Sequence, residues 1–251
     1  MAAALIRVAG LTLRYPNGRL ALDGVGLSVA AGEFVVVLGA NGSGKSTMLR
    51  CIAGILRPTA GRIEVADLAI TGQAGRSLAN ARMAIGMIFQ QPCLVRRRSV
   101  LANVMTGTLG RHRTIASALG RLPASEQPHA LACLDEVGLR NLATQRAGTL
   151  SGGQAQRVSI ARALAQRPRA LLADEPVASL DPQAAQDIMR LLRRASRQDG
   201  LAVICVLHQP DIACCYADRI VGLREGRVMF DAAAAGLPSR SVAGLYERAA
   251  G

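Results

Sequence analysis

Gly39-Ala40-Asn41-Gly42-Ser43-Gly44-Lys45-Ser46 follows directly on the apolar run Phe34-Val35-Val36-Val37-Leu38 and opens a stretch, 46–56, with helical spacing. The octet matches GxxxxGK[ST] in the setting that pattern requires, a buried strand before it and a helix after it. Glycines let successive backbone amides turn inward around phosphate oxygens, and the start of a helix adds positive potential. The reading is a nucleoside triphosphate site, with Gly39, Asn41, Gly42, Ser43, Gly44, Lys45, Ser46 and Thr47 as the cradle. Lys45 is expected to reach the β and γ phosphates, and Ser46 to ligate magnesium. All but one of the 30 basic residues are arginine, and the exception is Lys45. A compact ammonium on a flexible stem is what that position needs.

A triphosphate site of this kind needs a carboxylate for its metal ion. Ala170-Leu171-Leu172-Ala173-Asp174-Glu175 supplies an apolar strand ending in two adjacent acids. Neighbours on a strand point to opposite faces, so the two have different tasks. Asp174 is expected to hold Mg²⁺ through water, and Glu175 to orient or deprotonate the attacking water. Between the two motifs lies Leu150-Ser151-Gly152-Gly153-Gln154, at the head of a helical stretch. Ser151 can cap that helix, and Gly152 and Gly153 expose amides at its positive end, where an anion would bind.

Around these motifs the pattern changes three times. Residues 1–30 alternate apolar and polar about Pro16-Asn17-Gly18, which predicts antiparallel strands joined by a tight turn. From about 91 to 165, Ala/Leu/Arg-rich stretches such as 125–137 and 151–164 predict a helical subdomain nested in one domain of 251 residues. Strand signals at 170–173, 202–207 and 219–223 then alternate with a helix over 182–197, as a parallel sheet demands. Glu225-Gly226 predicts a hairpin turn, and the Ala/Gly-rich 232–251 a peripheral tail. No repeat of solenoid length and no low-complexity linker interrupts the chain.

Composition narrows the setting. Aromatics make up 2% of the chain with no Trp, so the core must be built from Ala, Leu, Val and Ile. The net charge of +13 suits a nucleotide, a nucleic acid or an anionic membrane face, but arginine is spread along the whole chain rather than gathered in one patch. Arg96-Arg97-Arg98 and Arg111-His112-Arg113 fit a partner or lipid headgroups no better than a solvated face. Six scattered cysteines with no CxxC pair predict reduced thiols used as small apolar side chains. Arg7 and Gly10 break the apolar stretch a secretory leader would need, and no segment approaches the ~18 apolar residues of a membrane span. A cytoplasmic, unexported chain is expected.

In content and order these motifs resemble the ABC ATPase family, and the resemblance runs from Tyr15 to Phe230. It implies an α/β fold: a P-loop NTPase (RecA-like) core, an N-terminal antiparallel β subdomain and an inserted α-helical subdomain. It further implies that Tyr15 stacks on adenine and that Gln90 touches magnesium or the attacking water. His208 would contact the γ-phosphate, and Asp181, in Ser179-Leu180-Asp181, would communicate across a dimer. ATP and Mg²⁺ are the implied cofactors. The implied partners are a second, head-to-tail copy donating Ser151, Gly152, Gly153 and Gln154 to the first copy's ATP, transmembrane permease subunits and, indirectly, a periplasmic substrate-binding protein. No nucleic acid is implied, and the place would be the cytoplasmic face of a bacterial inner membrane. The segments 85–91, Asn103-Val104 with Gly107-Thr108-Leu109-Gly110, 173–182, and Leu207-His208-Gln209 with Asp211 are similar to the ATP-binding subunits of phosphonate importers. Pro92-Cys93 in place of the usual Phe-Asn, and Ala155 in place of a common glutamine, depart from that pattern and leave another solute open. A DNA-repair ATPase of the superfamily would need a long coiled-coil insertion, and a translation factor two sets of motifs; neither is present.

Overall fold

A computed structural model describes residues 4–112, 117, 122–237 and 244–246 of the chain. β1 (Ala4–Arg14) and β2 (Leu20–Ala30) pair antiparallel, with Val8 opposite Leu27 and Leu13 opposite Leu22. The link between them is closed by the Tyr15 amide on the Arg19 carbonyl, 2.9 Å, and the Gly18 amide on the Tyr15 carbonyl, 2.9 Å. β4 (Ala60–Val65) and β5 (Leu68–Ala69) complete a four-stranded sheet of order β2-β1-β4-β5.

The second sheet has the order β10-β9-β3-β8-β7-β6. Its strands are β3 (Phe34–Leu38), β6 (Ile85–Ile88), β7 (Ala170–Asp174), β8 (Ala202–Val206), β9 (Arg219–Arg224) and β10 (Arg227–Ala233). The pairings from β9 through β6 are parallel, and only β10 at the edge is antiparallel, turned back at Glu225-Gly226. Every residue of β3, β7 and β8 is buried, which is why these strands read as unbroken apolar runs: both faces of the sheet are covered. The strand period of two sorts them. Phe34, Val36 and Leu38 enter one core with the helices, while Val35 and Val37 enter the other with the antiparallel sheet.

Among the described residues, seven α-helices flank the sheets: α1 (Lys45–Ile52), α2 (Gly75–Met83), α3 (Val100–Met105), α4 (Gln127–Glu136), α5 (Gly152–Ala165), α6 (Pro182–Arg197) and α7 (Pro210–Tyr216). α3, α4 and α5 pack on one another through Val100, Val104, Ala130, Leu134, Val158 and Ala161. α6 buries the stripe Ala185, Ile188, Met189, Leu192 and Ala195, the spacing of one helical face. Among the described residues no helix is long and apolar enough to cross a membrane.

Some expectations need correction. The helix predicted over 46–56 stops at Ile52, because Gly54 takes a left-handed φ of 66°. The tail is not wholly peripheral: Ala234 and Leu245 are 8% and 2% exposed and join the helix-side core. Of the cysteines, Cys51, Cys133 and Cys205 are buried, as small apolar side chains would be, whereas Cys93, Cys214 and Cys215 are exposed. Burial pushes the Cys51 thiol up to about 11 and the Cys133 thiol up to about 12.

One buried group is out of place. Ser159, in the middle of α5, is fully buried, and its hydroxyl has no hydrogen-bond partner among the described residues. Removing an unsatisfied buried hydroxyl relieves a desolvation cost of about 1–3 kcal/mol. Ser159→Ala is therefore expected to raise the free energy of unfolding by about 1 kcal/mol, measured by urea denaturation; a fall of that size would mean the hydroxyl has a partner.

Candidate nucleotide-binding and catalytic site

β3 delivers the chain to Gly39, and the loop that follows runs into α1 at Lys45. Two of its glycines are required. A Cβ on Gly39 would lie 2.1 Å from the Leu223 carbonyl oxygen, and one on Gly44, at φ 107°, would lie 2.5 Å from that of Ala21. Gly44 occupies the N-cap of α1 with no side chain to cap it, so the first helical amides keep their hydrogen-bonding capacity for an anion.

Lys45 is 4% exposed, and its Nζ donates to the carbonyls of Gly39 at 2.8 Å and Ala40 at 3.0 Å. Burial lowers its pKa, against the nearby carboxylates of Glu175 and Asp174. The Ser43 hydroxyl is buried with no partner among the described residues, an orphan within the loop that a phosphate oxygen would satisfy. The loop thus offers a buried ammonium, a free hydroxyl and uncapped amides, and these fit a phosphate chain.

The two acids at the end of β7 diverge as adjacent strand residues should. The Ser46 hydroxyl donates to Asp174 Oδ1 at 2.7 Å, which brings together the two oxygen ligands expected of a magnesium site. Burial raises the Asp174 pKa, opposed by the Ser46 hydrogen bond and the charge of Arg50. Glu175 leaves the strand at φ 50°, in the left-handed region that costs a non-glycine residue about 1–2 kcal/mol. In that conformation its Oε1 lies 2.5 Å from Nε2 of His208, which follows β8.

A cavity of about 150 Å³ joins Tyr15, Arg19, the loop from Asn41 to Thr47, and Glu175. The Tyr15 hydroxyl and Thr47 Oγ1 are 3.1 Å apart, so the ring stands at the mouth of the loop. Arg19, whose guanidinium donates to the Gly42 carbonyl at 3.3 Å, was not singled out from the sequence. Its signal was position, at the end of the turn that begins at Tyr15. Gln90 is exposed in the loop after β6 and does not line this cavity.

Ser151, Gly152, Gly153, Gln154, Ser179 and Asp181 line a separate cavity of about 430 Å³. Ser151 caps α5 through a reciprocal pair: its hydroxyl accepts from the Gln154 amide at 3.3 Å, and its own amide donates to Gln154 Oε1 at 3.0 Å. Asp181 caps α6 by accepting from the Ala184 amide at 2.9 Å. The two cavities share no lining residue.

Two further residues of α5 were missed. Gln156, 2% exposed, donates to the Phe89 carbonyl at 3.1 Å, and Arg162 donates to the carbonyls of Cys93 and Pro92 at 2.9 and 2.8 Å. The loop bearing Gln90 is thereby held to the helix headed by Ser151. Of the basic clusters, Arg96, Arg97 and Arg98 are exposed. Arg111 and His112 are taken up by Glu126 at 2.9 and 2.7 Å, and Arg113 lies outside the described residues.

A family profile described as ABC transporter matches residues 22–178, more than half of the chain. The chain belongs to the ABC transporter ATPase family. Among curated relatives, it is 47% identical to the phosphonates import ATP-binding protein PhnC 3 of Nostoc sp., over 98% of this chain and 93% of that one. It is 44% identical to PhnC of Thiobacillus denitrificans over 97% and 93% of the two chains, and 47% identical to PhnC of Frankia casuarinae over 97% and 96%. Among solved structures, the dimeric post-hydrolysis state of the ATP-binding cassette MJ0796 bound to ADP and Pi superposes with a TM-score of 0.81 at 33% identity, over 92% of this chain and all of that one. The ADP conformation of the cassette MJ1267 gives 0.85 at 27% identity, over 98% and 99%. The ABC ATPase fold expected from the motifs is the fold observed. ABC cassettes bind and hydrolyse ATP, act as dimers and work with transmembrane permease subunits.

Proposed function

We propose that this cassette hydrolyses Mg-ATP in a head-to-tail dimer and thereby drives phosphonate uptake through a separate permease. The observation that carries the dimer is the separation of the two cavities: the loop of Lys45 and the amides headed by Ser151 open at different places on one chain, so each ATP needs a second copy to close it. The cargo rests on relatives matched along nearly their whole length, each named for phosphonate import.

In this reading the Gly39–Thr47 loop grips the phosphates and Lys45 exchanges the Gly39 and Ala40 carbonyls for β and γ oxygens. Tyr15 stacks on the adenine. Ser46 and Asp174 would hold magnesium, which would neutralise charge on the phosphate oxygens; Gln90, outside this cavity, would reach the ion once its loop swings in. Glu175 takes the proton of the attacking water, held in place by His208, whose ring also meets the γ-phosphate. Ser151, Gly152, Gly153 and Gln154 of the partner subunit present their amides to the same phosphate, and Asp181 lies at the seam between copies. Hydrolysis removes the group bridging the two chains, and the dimer opens.

The segment from 91 to 165 acts as a helical subdomain that passes this motion to the permease. A cavity of about 460 Å³ beside Phe89 and Cys93, rimmed by the exposed side chains of Ile55 and Leu109, is the docking groove we assign to it. The subunit then sits peripherally on the cytoplasmic face of the inner membrane, with a periplasmic binding protein as its indirect partner.

Reconstitution with the permease tests the reading. ATPase activity should rise when the binding protein carries a phosphonate and not when it carries phosphate or an amino acid. Stimulation by one of those other solutes instead would transfer the cassette to another importer.

A further inference from the structure

The end of the chain does more than cover the core. Leu245 is 2% exposed within the core beneath the parallel sheet, and the carbonyl of Gly244 accepts from Arg224 Nη1 at 3.2 Å. Arg224 ends β9, and the carbonyl of Leu223 beside it lies against Gly39. The turn formed by Gly244, Leu245 and Tyr246 is thus pinned at the end of the sheet from which the nucleotide loop departs.

Tyr246 follows these two anchors, and its hydroxyl donates to the main-chain carbonyl of His208 at 3.1 Å. His208 and Gly39 leave adjacent parallel strands, since β3 and β8 pair with Val37 opposite Val206. The crevice between two such strand ends is where ligands of open α/β sheets bind. Burial raises the pKa of the Tyr246 hydroxyl, against an opposing influence of the Gly39 backbone. It stays a neutral donor through the physiological range.

Among the described residues, the one hydrogen-bond partner of the His208 imidazole is Glu175, whose Oε1 is 2.5 Å away. The His208 main chain lies between the end of β8 and α7, one residue past the last ladder bond, from the Leu207 amide to the Val37 carbonyl at 3.2 Å. We propose that Tyr246 is a positioning residue of the ATPase, tethering the main chain of His208 to the terminal turn and so fixing where the imidazole meets Glu175. The proposal rests on the reading of Glu175 and His208 as the hydrolysing pair.

Tyr246→Phe removes the hydroxyl and keeps the ring, and it leaves Leu245 and Gly244 untouched. In the purified full chain, kcat should fall about fivefold, the worth of one hydrogen bond, with KM for ATP and Tm unchanged. Hydrogen exchange across Leu207, His208 and Gln209 should quicken in the same variant. Wild-type kcat, or a loss of kcat matched by a loss of ATP affinity or of Tm, overturns the assignment, as does unchanged exchange at those amides. His208→Ala run alongside separates the two levels. If it turns over at the wild-type rate, the reading of the hydrolysing pair falls and the tether with it; if it is inactive while Tyr246→Phe is normal, only the tether falls.

Discussion

Exchanging Glu175 for glutamine is expected to stop turnover while leaving ATP bound. The substitution keeps the size of the side chain and an oxygen or amide to meet His208 Nε2, now 2.5 Å from the carboxylate. In the proposed mechanism it removes the general base, a task left to Glu175 because Asp174 is engaged by Ser46. A positioned general base is worth about 10²–10⁴ in rate, so kcat should drop about a thousandfold. Because the phosphate cradle is untouched, nucleotide affinity should stay within about threefold of wild type, a difference under 1 kcal/mol. The γ-phosphate then persists as the bridge between two chains, and gel filtration with Mg-ATP should show a stable dimer. A glutamine variant that turns over at the wild-type rate would remove Glu175 from the chemistry.

Lys45→Ala should fail one step earlier. Its ammonium is buried, and the carbonyls of Gly39 and Ala40 hold it ready at 2.8 and 3.0 Å. Hydrogen bonds to a charged group contribute about 1.5–3 kcal/mol, so ATP affinity should fall roughly 10- to 100-fold and hydrolysis should become undetectable. Arginine should not rescue it, because a planar guanidinium needs a wider slot than a side chain 4% exposed occupies. Fluorescent-nucleotide titration checks the affinity, and an unchanged circular dichroism spectrum excludes unfolding. Tight binding by the alanine variant would show that the loop amides suffice.

What could be read in the sequence is what is encoded locally. The glycines leading to Lys45, the acids ending an apolar strand and the capped start of α5 are contiguous patterns, and β3, β8 and β7 up to Ala173 announce themselves as apolar runs because both their faces are covered. The elements that went unread are short and sparsely apolar. β4 buries only Ile63 and Val65, β5 has 2 residues, and α2 buries Ala81 alone. Gln156 escaped notice because its partner, the Phe89 carbonyl, is 67 residues away and nothing nearby in the sequence marks the contact. Leu245 was hidden by its Ala/Gly-rich surroundings, since its burial comes from tertiary packing that composition does not record.

The solitary lysine has a practical consequence. Apart from the α-amine, the protein has one primary amine, and it lies inside the nucleotide cradle with its proton affinity depressed by burial. An acylating or aldehyde reagent small enough to enter would therefore modify a single side chain, and bound ATP should shield it. Mass spectrometry of the tagged peptide would then count occupied cradles directly, with no engineered probe and no background from the arginine-covered surface.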